Sequence, residues 1–542
     1  MSKRIYNVLF HLHTVSGIVI SVILYIIFFA GSFSFFRDEI VNWERNHAVE
    51  NTEQISMDLD AALDSLDEKY ALHGRNISIS RHHIERRIAV SLDPSQDNLA
   101  QEKGKAEHFF YQDTKTLHTA DYVSSYSLGE FLYRLHFFAQ VPYPYGYYLS
   151  GFTAFFFLFA IITGILVHWD KIISNFYLFR PWAKLKTLWT DAHTALGTIG
   201  LPFQFVYAVT GAFFMIKAVL IAPSVFMLYD GDESALYDDL GYGEPEIEYL
   251  GQPLMADFSI NDLVAETQKD WPAFTVNHLH IFNYGDANMH IAVEGETDRD
   301  AKFTGPGKRL YQVSSGEWVD EQNPFETASY RDGVMNTLYR LHYGDYGGYA
   351  LKLVSFVLGI ISCFVIASGV MIWLVARRKK NVPEKRRIFN ERVARVYLAI
   401  CLSMYPVTAL AFIAVKTVGV GMTFLYQFYF ITWLIASAFL IWKKDLNFMN
   451  RVTLLSGSTI GFLIPIVNGL TSGTWLWNSL QDGHIQVLFI DVFWLMLSVT
   501  TFWVWLKIKK KNRNRVEQET RKNQTRIIEK SVVSIEKVAE PV

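Results

Sequence analysis

Ser127–Phe138 reads SLGEFLYRLHFF, and Val334–Asp345 reads VMNTLYRLHYGD. The shared LYRLH stands each time just ahead of a long apolar run. One five-residue match is weak in an aromatic-rich chain, so the flanking residues decide whether it is a repeat. Upstream, HTVSGIVISVILYIIFFAGSF from His13 aligns without a gap with HTALGTIGLPFQFVYAVTGAF from His193. His13, Thr14, Gly17, Gly31 and Phe33 fall on His193, Thr194, Gly197, Gly211 and Phe213. Tyr111-Gln112 and Tyr311-Gln312 close the intervening polar segments alike, and ITGILVHW around Gly164 matches ASGVMIWL around Gly369. The chain up to Lys380 is therefore duplicated, each copy running apolar helix, polar domain, apolar helix. Both copies enter from the same side, which makes them parallel repeats about a pseudo-two-fold axis along the membrane normal.

The chain has 542 residues, 51% hydrophobic and 15% aromatic but 19% charged, a balance that fits a membrane protein carrying polar domains. Eight stretches are long and apolar enough to span a bilayer: Val15–Phe36, Tyr147–Trp169, Leu196–Ala222, Tyr349–Ala376, Val393–Val415, Met422–Trp442, Val452–Thr471 and Ile485–Leu506. The fold expected is a mainly α-helical integral membrane protein with eight transmembrane helices and two polar domains between spans. Its parts are a first transmembrane helix in residues 1–45, a polar domain in 46–126, helices 2 and 3 in 127–222, a second polar domain in 223–332 and helix 4 in 333–380. A four-helix membrane appendage, 393–508, shows no trace of the repeat, and a basic tail fills 509–542. Ala30-Gly31-Ser32 resembles a signal-peptide cleavage site, but the apolar run is too long for one and its twin from Leu196 lies in mid-chain.

Basic residues flank alternate spans: Lys3 and Arg4; Lys171, Arg180, Lys184 and Lys186; Arg377–Lys380 with Lys385–Arg387; Lys443 and Lys444; Lys507–Lys511. By the positive-inside rule these face the cytoplasm, so both termini are expected inside and both polar domains outside. The net charge of −3 hides this asymmetry because Asp230–Glu248 is strongly acidic, which reads as solvation. Cys363 and Cys401 both lie in apolar runs, which excludes disulfides, iron–sulfur ligation and covalent haem attachment. No strand-flanked glycine loop for phosphate occurs, and no nucleic-acid partner is expected.

Of the 16 histidines, four are duplicated in register: His13 with His193, and His136 with His342. Ionisable residues at membrane depth are costly and read as functional. A two-fold axis brings equivalent residues face to face, so a porphyrin on that axis would take one imidazole from each copy, giving two b-type haems per chain. From His13 to Gly31 is about five helical turns, so Gly17 and Gly31 share the histidine's face and leave room for a porphyrin or a neighbouring helix. Interface histidines also serve as caps and one-face glycines as packing positions; four histidines in two matched pairs, one pair per leaflet, favour haem. Zinc would want its ligands in one place. Arg134 and Arg340, two residues before the outer histidines His136 and His342, are candidates to hold a haem propionate, or else snorkel. His168 has no histidine twin, its partner being Trp373, and lies near the inner pair in depth. His82-His83 and His278/His280/His290 read as solvated, with weak metal binding as the alternative. In the appendage, His484 and Asp491 lie two turns apart on one face, which suits a proton path, a quinone site or a helix–helix hydrogen bond.

LHTVSG…AGSFSFFRDEI, LYRLHFF…PYGYYLSG…ITGILVHWDK, DAHTALG…VTGAFF and the second LYRLH together resemble the PepSY-associated transmembrane family, over about Asn7 to Lys380. The resemblance implies that both polar domains are small α+β extracytoplasmic PepSY-like units, with HFFYQDTKTLHTAD and KRLYQVSSGEWVDE as the strand–turn–strand end of each. It also implies an inner-membrane ferric-siderophore reductase holding two haems, fed by quinol or a cytoplasmic reductase. The rival readings are a PepSY membrane sensor that regulates a peptidase and an iron-chelate transporter.

Overall fold

The computed structural model describes residues 1–49, 53–177, 180, 185–240, 245–297, 302–327, 329–379 and 381–510. Most of the expected basic tail, along with Lys184 and Lys380, lies outside the described residues. Helix α1 (Lys3–Ser34) starts at Ser2, whose hydroxyl accepts from Ile5 N. It is followed by α2 (Arg37–Arg45), α3 (Leu59–Tyr70), β1 (Ile77–Ser80), β2 (Arg87–Leu92), β3 (His108–Asp113), β4 (Thr119–Asp121), α4 (Leu128–Leu135) and α5 (Tyr145–His168). After α6 (Ile172–Tyr177) the second copy repeats the plan. It comprises α7 (Leu185–Ile199), α8 (Leu201–Leu228), α9 (Glu233–Asp239), α10 (Ile260–Asp270), β5 (Phe274–Phe282), β6 (His290–Thr297), β7 (Pro306–Gln312), β8 (Glu317–Gln322), α11 (Tyr330–Tyr343) and α12 (Gly348–Ala376). The chain ends with α13 (Glu384–Thr417), α14 (Met422–Lys443), α15 (Leu446–Ser472), α16 (Leu476–Gln481) and α17 (Ile485–Lys510). Eight helices are long and apolar enough to cross a membrane, as expected.

The third span differs from its expected bounds. The chain does not run through Leu196–Ala222 as one helix: it breaks at Gly200 and restarts at Leu201 with a proline in the first turn. Pro202 has no N–H to donate backwards, so it suits a helix start and not a helix middle.

The polar segments do not stay apart. Each supplies four strands and a helix packed on them, α3 or α10, and together they make one antiparallel sheet in the order β4-β3-β2-β1-β5-β6-β7-β8. That order maps onto itself when β1 exchanges with β5, β2 with β6, β3 with β7 and β4 with β8, so the repeat axis passes between β1 and β5. Pairing Ile77–Ser80 with His278–Ile281 removes the exposed edge that each half would carry alone. The strand–turn–strand ends expected in each half are present as β3–β4 and β7–β8. Alternate residues of the strands, Ile77 and Ile79, Ile88 and Val90, Leu279 and Ile281, Ile291 and Val293, form one core under α3 and α10. The N-termini of those two helices cap each other: Leu59 N donates to Asn261 Oδ1 (2.9 Å), and Ile260 N donates to Asp60 Oδ1 (2.7 Å).

In the membrane region of this unit, α1 packs on α5 and α12, α5 on α8, and α12 on α7. A separate unit takes Arg395–Val418, Phe428–Gln481 and the residues from Leu488 on. It is built on α15, whose glycines admit large neighbours: a Cβ at Gly457 would strike the Tyr405 ring, and one at Gly461 would strike Ser498. There Asn468 Nδ2 donates to Asp491 Oδ2 at 2.9 Å, the helix–helix hydrogen bond anticipated as one use of that aspartate.

Candidate functional site

Both LYRLH segments are short helices with polar starts and left-handed ends. Ser127 and Glu130 stand at the spacing of a capping box, and Ser127 Oγ accepts from Glu130 N (3.2 Å). Ser329 Oγ does the same for Asp332 N (3.1 Å) at the head of α11. Two residues after each histidine the backbone turns left-handed, at Phe138 (φ 58°) and Gly344 (φ 61°). That turn stops both helices at the histidine and sends the chain into the next span. For Phe138, which has a side chain, the conformation is uncommon.

The four duplicated histidines come together as two pairs. The His136 and His342 rings, on the sheet side, have centroids 5.9 Å apart; the His13 and His193 rings, at the opposite end of the bundle, lie 6.2 Å apart. In all four, Nδ1 is already taken. His13 Nδ1 donates to Ala160 O (2.9 Å), His136 Nδ1 to Ile27 O (2.8 Å) and His193 Nδ1 to Val365 O (2.9 Å). His342 Nδ1 is 2.8 Å from Thr210 Oγ1, whose own proton goes to Val206 O (2.7 Å), so His342 must be the donor there too. A carbonyl can only accept, so these contacts put the proton on Nδ1 and the lone pair on Nε2, the form that binds a metal. No protein atom among the described residues hydrogen-bonds any of the four Nε2 atoms.

The glycines serve different partners from those the spacing suggests. Gly31 shares a helix face with His13 but lies at the other end of α1, where a Cβ would come within 2.5 Å of His136 Nδ1. Gly17 meets nothing within 4 Å. The inner histidines lie instead against Gly164 and Gly369, where a Cβ would come within 3.1 Å of the His13 ring and 3.3 Å of the His193 ring. Gly31, Gly164 and Gly369 each back a histidine from another helix, whereas a Cβ at Gly211, the twin of Gly31, would meet only Ala154.

Gly31 and Gly211 both line a cavity of about 380 Å³ that contains His136 and His342, walled by Phe28, Phe157, Phe203 and Phe214. Arg134 and Lys217 are the cationic residues in its lining. Arg134 also pairs with Glu130 (2.6 Å). Arg340 is outside that lining: it is buried, its Nη2 meets Glu296 (2.6 Å), its Nη1 lies 3.9 Å from Asp345, and among the described residues its Nε and Nη1 make no hydrogen bond. His168 ends α5 within electrostatic range of His193. His82 is exposed, and His278 already spends both nitrogens, on Ser78 (2.9 Å) and Glu294 (2.9 Å). Among the described residues no cluster of His, Cys, Asp or Glu is arranged to hold a metal ion by itself.

A buried ion network fixes α4 against the sheet. Arg37 meets Glu85 (2.8 Å) and Glu130 (3.0 Å), and Glu85 also meets Arg87 (2.5 Å). Burial pushes the Glu85 carboxyl up, but Arg37, Arg87 and His83 outweigh it and hold it at about 2. Glu130 is likewise lowered, with Arg37 and Arg134 overcoming its burial. A Cβ at Gly129 would sit 2.5 Å from Arg37 O, so only glycine lets the two helices approach this closely.

Four residues here escaped the sequence reading: Lys217, Thr210, Tyr207 and Ser368. Lys217 had a signal, because it aligns with Arg37 in the same register as His193 with His13. Tyr207, whose hydroxyl donates to His342 O (2.9 Å), and Ser368, 3.1 Å from His193 Nδ1, had none.

The fold and site define a class: a multi-pass membrane protein of two parallel repeats whose equivalent histidines meet across the repeat axis. The chain belongs to the family described as the PepSY-associated TM region, whose model matches residues 10–376. It is also similar to the uncharacterized protein PA4219 of Pseudomonas aeruginosa, 22% identical over 257 residues, a match covering 45% of this chain and 62% of that protein.

Proposed function

We propose that this protein is a di-haem transmembrane oxidoreductase that reduces a ferric chelate, such as a ferric siderophore, on the side of the sheet. The observation that carries the reading is the state of the four paired histidines: every Nδ1 is committed to a donor bond, and among the described residues every Nε2 is left without a protein partner. Two imidazoles sharing one metal at about 2.0–2.1 Å have ring centroids roughly 6 Å apart, and the two pairs stand at 5.9 and 6.2 Å. The residues therefore fit a bis-histidine haem at each pair. Two b-type haems would supply one-electron carriers, one near each membrane face.

Each side chain has a task in that arrangement. His13 and His193 would hold the inner group, His136 and His342 the outer one, and the carbonyls of Ala160, Ile27 and Val365 with the Thr210 hydroxyl orient the rings. Phenylalanines around the outer pair exclude water. Arg134 and Lys217 offer cations to propionates; Arg340, turned to Glu296 and away from the cavity, suits this less. His168 is placed to tune the inner site. Chelates grip Fe³⁺ through hard oxygen donors and hold Fe²⁺ far less tightly, so one electron delivered outside releases the iron. The electron comes from a quinol or a cytoplasmic reductase, which is oxidised in turn. The distribution of lysine and arginine supports cytoplasmic termini and an extracytoplasmic sheet in a bacterial inner membrane.

His342→Ala tests the reading. In oriented vesicles it should leave the inner haem reducible by a cytoplasmic donor while stopping Fe³⁺ reduction outside, followed with a trapped Fe²⁺ chromophore. Undiminished external reduction would overturn the mechanism.

A further inference from the structure

We propose that Lys217 raises the reduction potential of the iron that His136 and His342 hold, and so biases electron flow toward the side of the sheet. The inference rests on the di-haem reading above and adds a direction to it. Ligation alone gives none. All four axial ligands are histidines with Nδ1 committed as a donor, so a difference in potential between the two sites comes from the groups around them. The step is a single electron passing from the inner site, which is oxidised, to the outer one, which is reduced.

The repeat supplies an asymmetry of charge. In the second copy α8 breaks at Ile216 (φ −125°, ψ 19°), and Lys217 follows. In the first copy the twin of Ile216 is Phe36, which has nearly the same backbone (φ −110°, ψ 23°) at the head of α2, and Arg37 follows. Both break residues are buried, and equivalent positions of α5 and α12 brace them. A Cβ at Gly151 would lie 2.5 Å from Ile216 Cγ2, and the Phe36 and Phe356 ring centroids are 5.7 Å apart. The same kink thus carries a cation in each copy, but the two cations go to different places. Arg37 turns to Glu85 and Glu130 and is outside the cavity lining. Lys217 lines the cavity of His136 and His342. Arg134, also in that lining, is paired with Glu130, whereas Lys217 makes no ion pair or hydrogen bond among the described residues. A lysine in that state at membrane depth is costly, and the phenylalanine walls screen its field far less than water does. Reduction lowers the charge of the iron by one, so a neighbouring cation favours the reduced state.

The test is a spectroelectrochemical titration of the full-length protein in lipid nanodiscs, with His13→Ala marking which component is the outer one. Lys217→Met should lower the outer potential by about 59 mV or more, a tenfold change in the one-electron equilibrium constant, and leave the inner component in place. Lys217→Arg keeps the charge and should titrate close to the wild type. A lysine that only reaches for lipid head groups would leave the outer potential unmoved. That result with both haems bound overturns the assignment and leaves the di-haem reading standing. So does an equal shift of both components, or a shift in Lys217→Arg as large as that in Lys217→Met. Loss of the outer haem from both Lys217→Met and Lys217→Gln overturns it too, because Lys217 would then be an anchor for the group. A wild-type protein without two haems ends the reading on which the inference rests, and the inference with it.

Discussion

Gly31→Ala adds one methyl group to a helix that otherwise tolerates it. At that position the new Cβ would lie 2.5 Å from His136 Nδ1 and 2.7 Å from its Cε1. Relaxed contacts need about 3.5–4.0 Å, so the imidazole must retreat by roughly 1 Å. It cannot do so and keep its 2.8 Å bond to Ile27 O. Overpacking of this kind costs about 1–3 kcal/mol, about 5- to 150-fold in affinity for whatever His136 holds. Two other glycines of the pattern should behave differently. Gly211→Ala brings a Cβ to an ordinary 3.4 Å from Ala154, and Gly17→Ala meets open space. With haem measured as the pyridine haemochromogen and protein by amino-acid analysis, Gly31→Ala should fall toward one haem per chain, while Gly211→Ala and Gly17→Ala keep two. Two haems and an unaltered spectrum in Gly31→Ala would refute the reasoning, as would equal damage from all three changes.

His13→Ala and His193→Ala should each remove the same inner haem signal and leave the outer one, as read by low-temperature absorbance with a folding control. Thr210→Val leaves the His342 Nδ1–H without an acceptor and should weaken the outer haem by about 10- to 100-fold, with Thr210→Ser close to wild type in a haem-transfer titration. The sheet should lose stability in acid. Because the Glu85 carboxyl is lowered from 4.5 to about 2 in the folded state, its contribution of about 3 kcal/mol is present above pH 4.5 and lost as pH falls toward 2. Glu85→Gln should flatten that fall in thermal unfolding followed by circular dichroism. Arg37→Leu removes the buried cation that Glu85 and Glu130 share, leaving each with one arginine, Arg87 and Arg134, and should cost about 3 kcal/mol at neutral pH in denaturant unfolding.

The repeat, the eight spans and the four histidines were legible because each is a property of sequence register. Duplicated polar residues at the mouths of apolar runs have few explanations, and LYRLH fixed the alignment. The role of Gly31 was not legible. Helical periodicity says which residues share a face of α1, but the partner on that face comes from α4, more than a hundred positions later. The joined sheet was hidden for the same reason. The pairing of Ser78 with His280 depends on two half-sheets meeting at their edges, and neither strand carries a mark of its distant partner. Thr210 shows where the repeat relaxes: its counterpart is Ala30, so the first copy satisfies its histidine from a backbone carbonyl and the second from a hydroxyl. The break at Gly200 was half visible, since Pro202 marked the place but the apolar run concealed the restart.

The central claim is that each histidine pair holds one haem through two unpartnered Nε2 atoms. The most direct measurement is the haem content of the purified full-length protein, with acid-acetone extraction to show how the haem is attached. Two extractable b-type haems per chain, both low-spin and six-coordinate, are the result expected of two bis-histidine sites. A ratio near one or zero, or haem that stays with the protein after extraction, would contradict it.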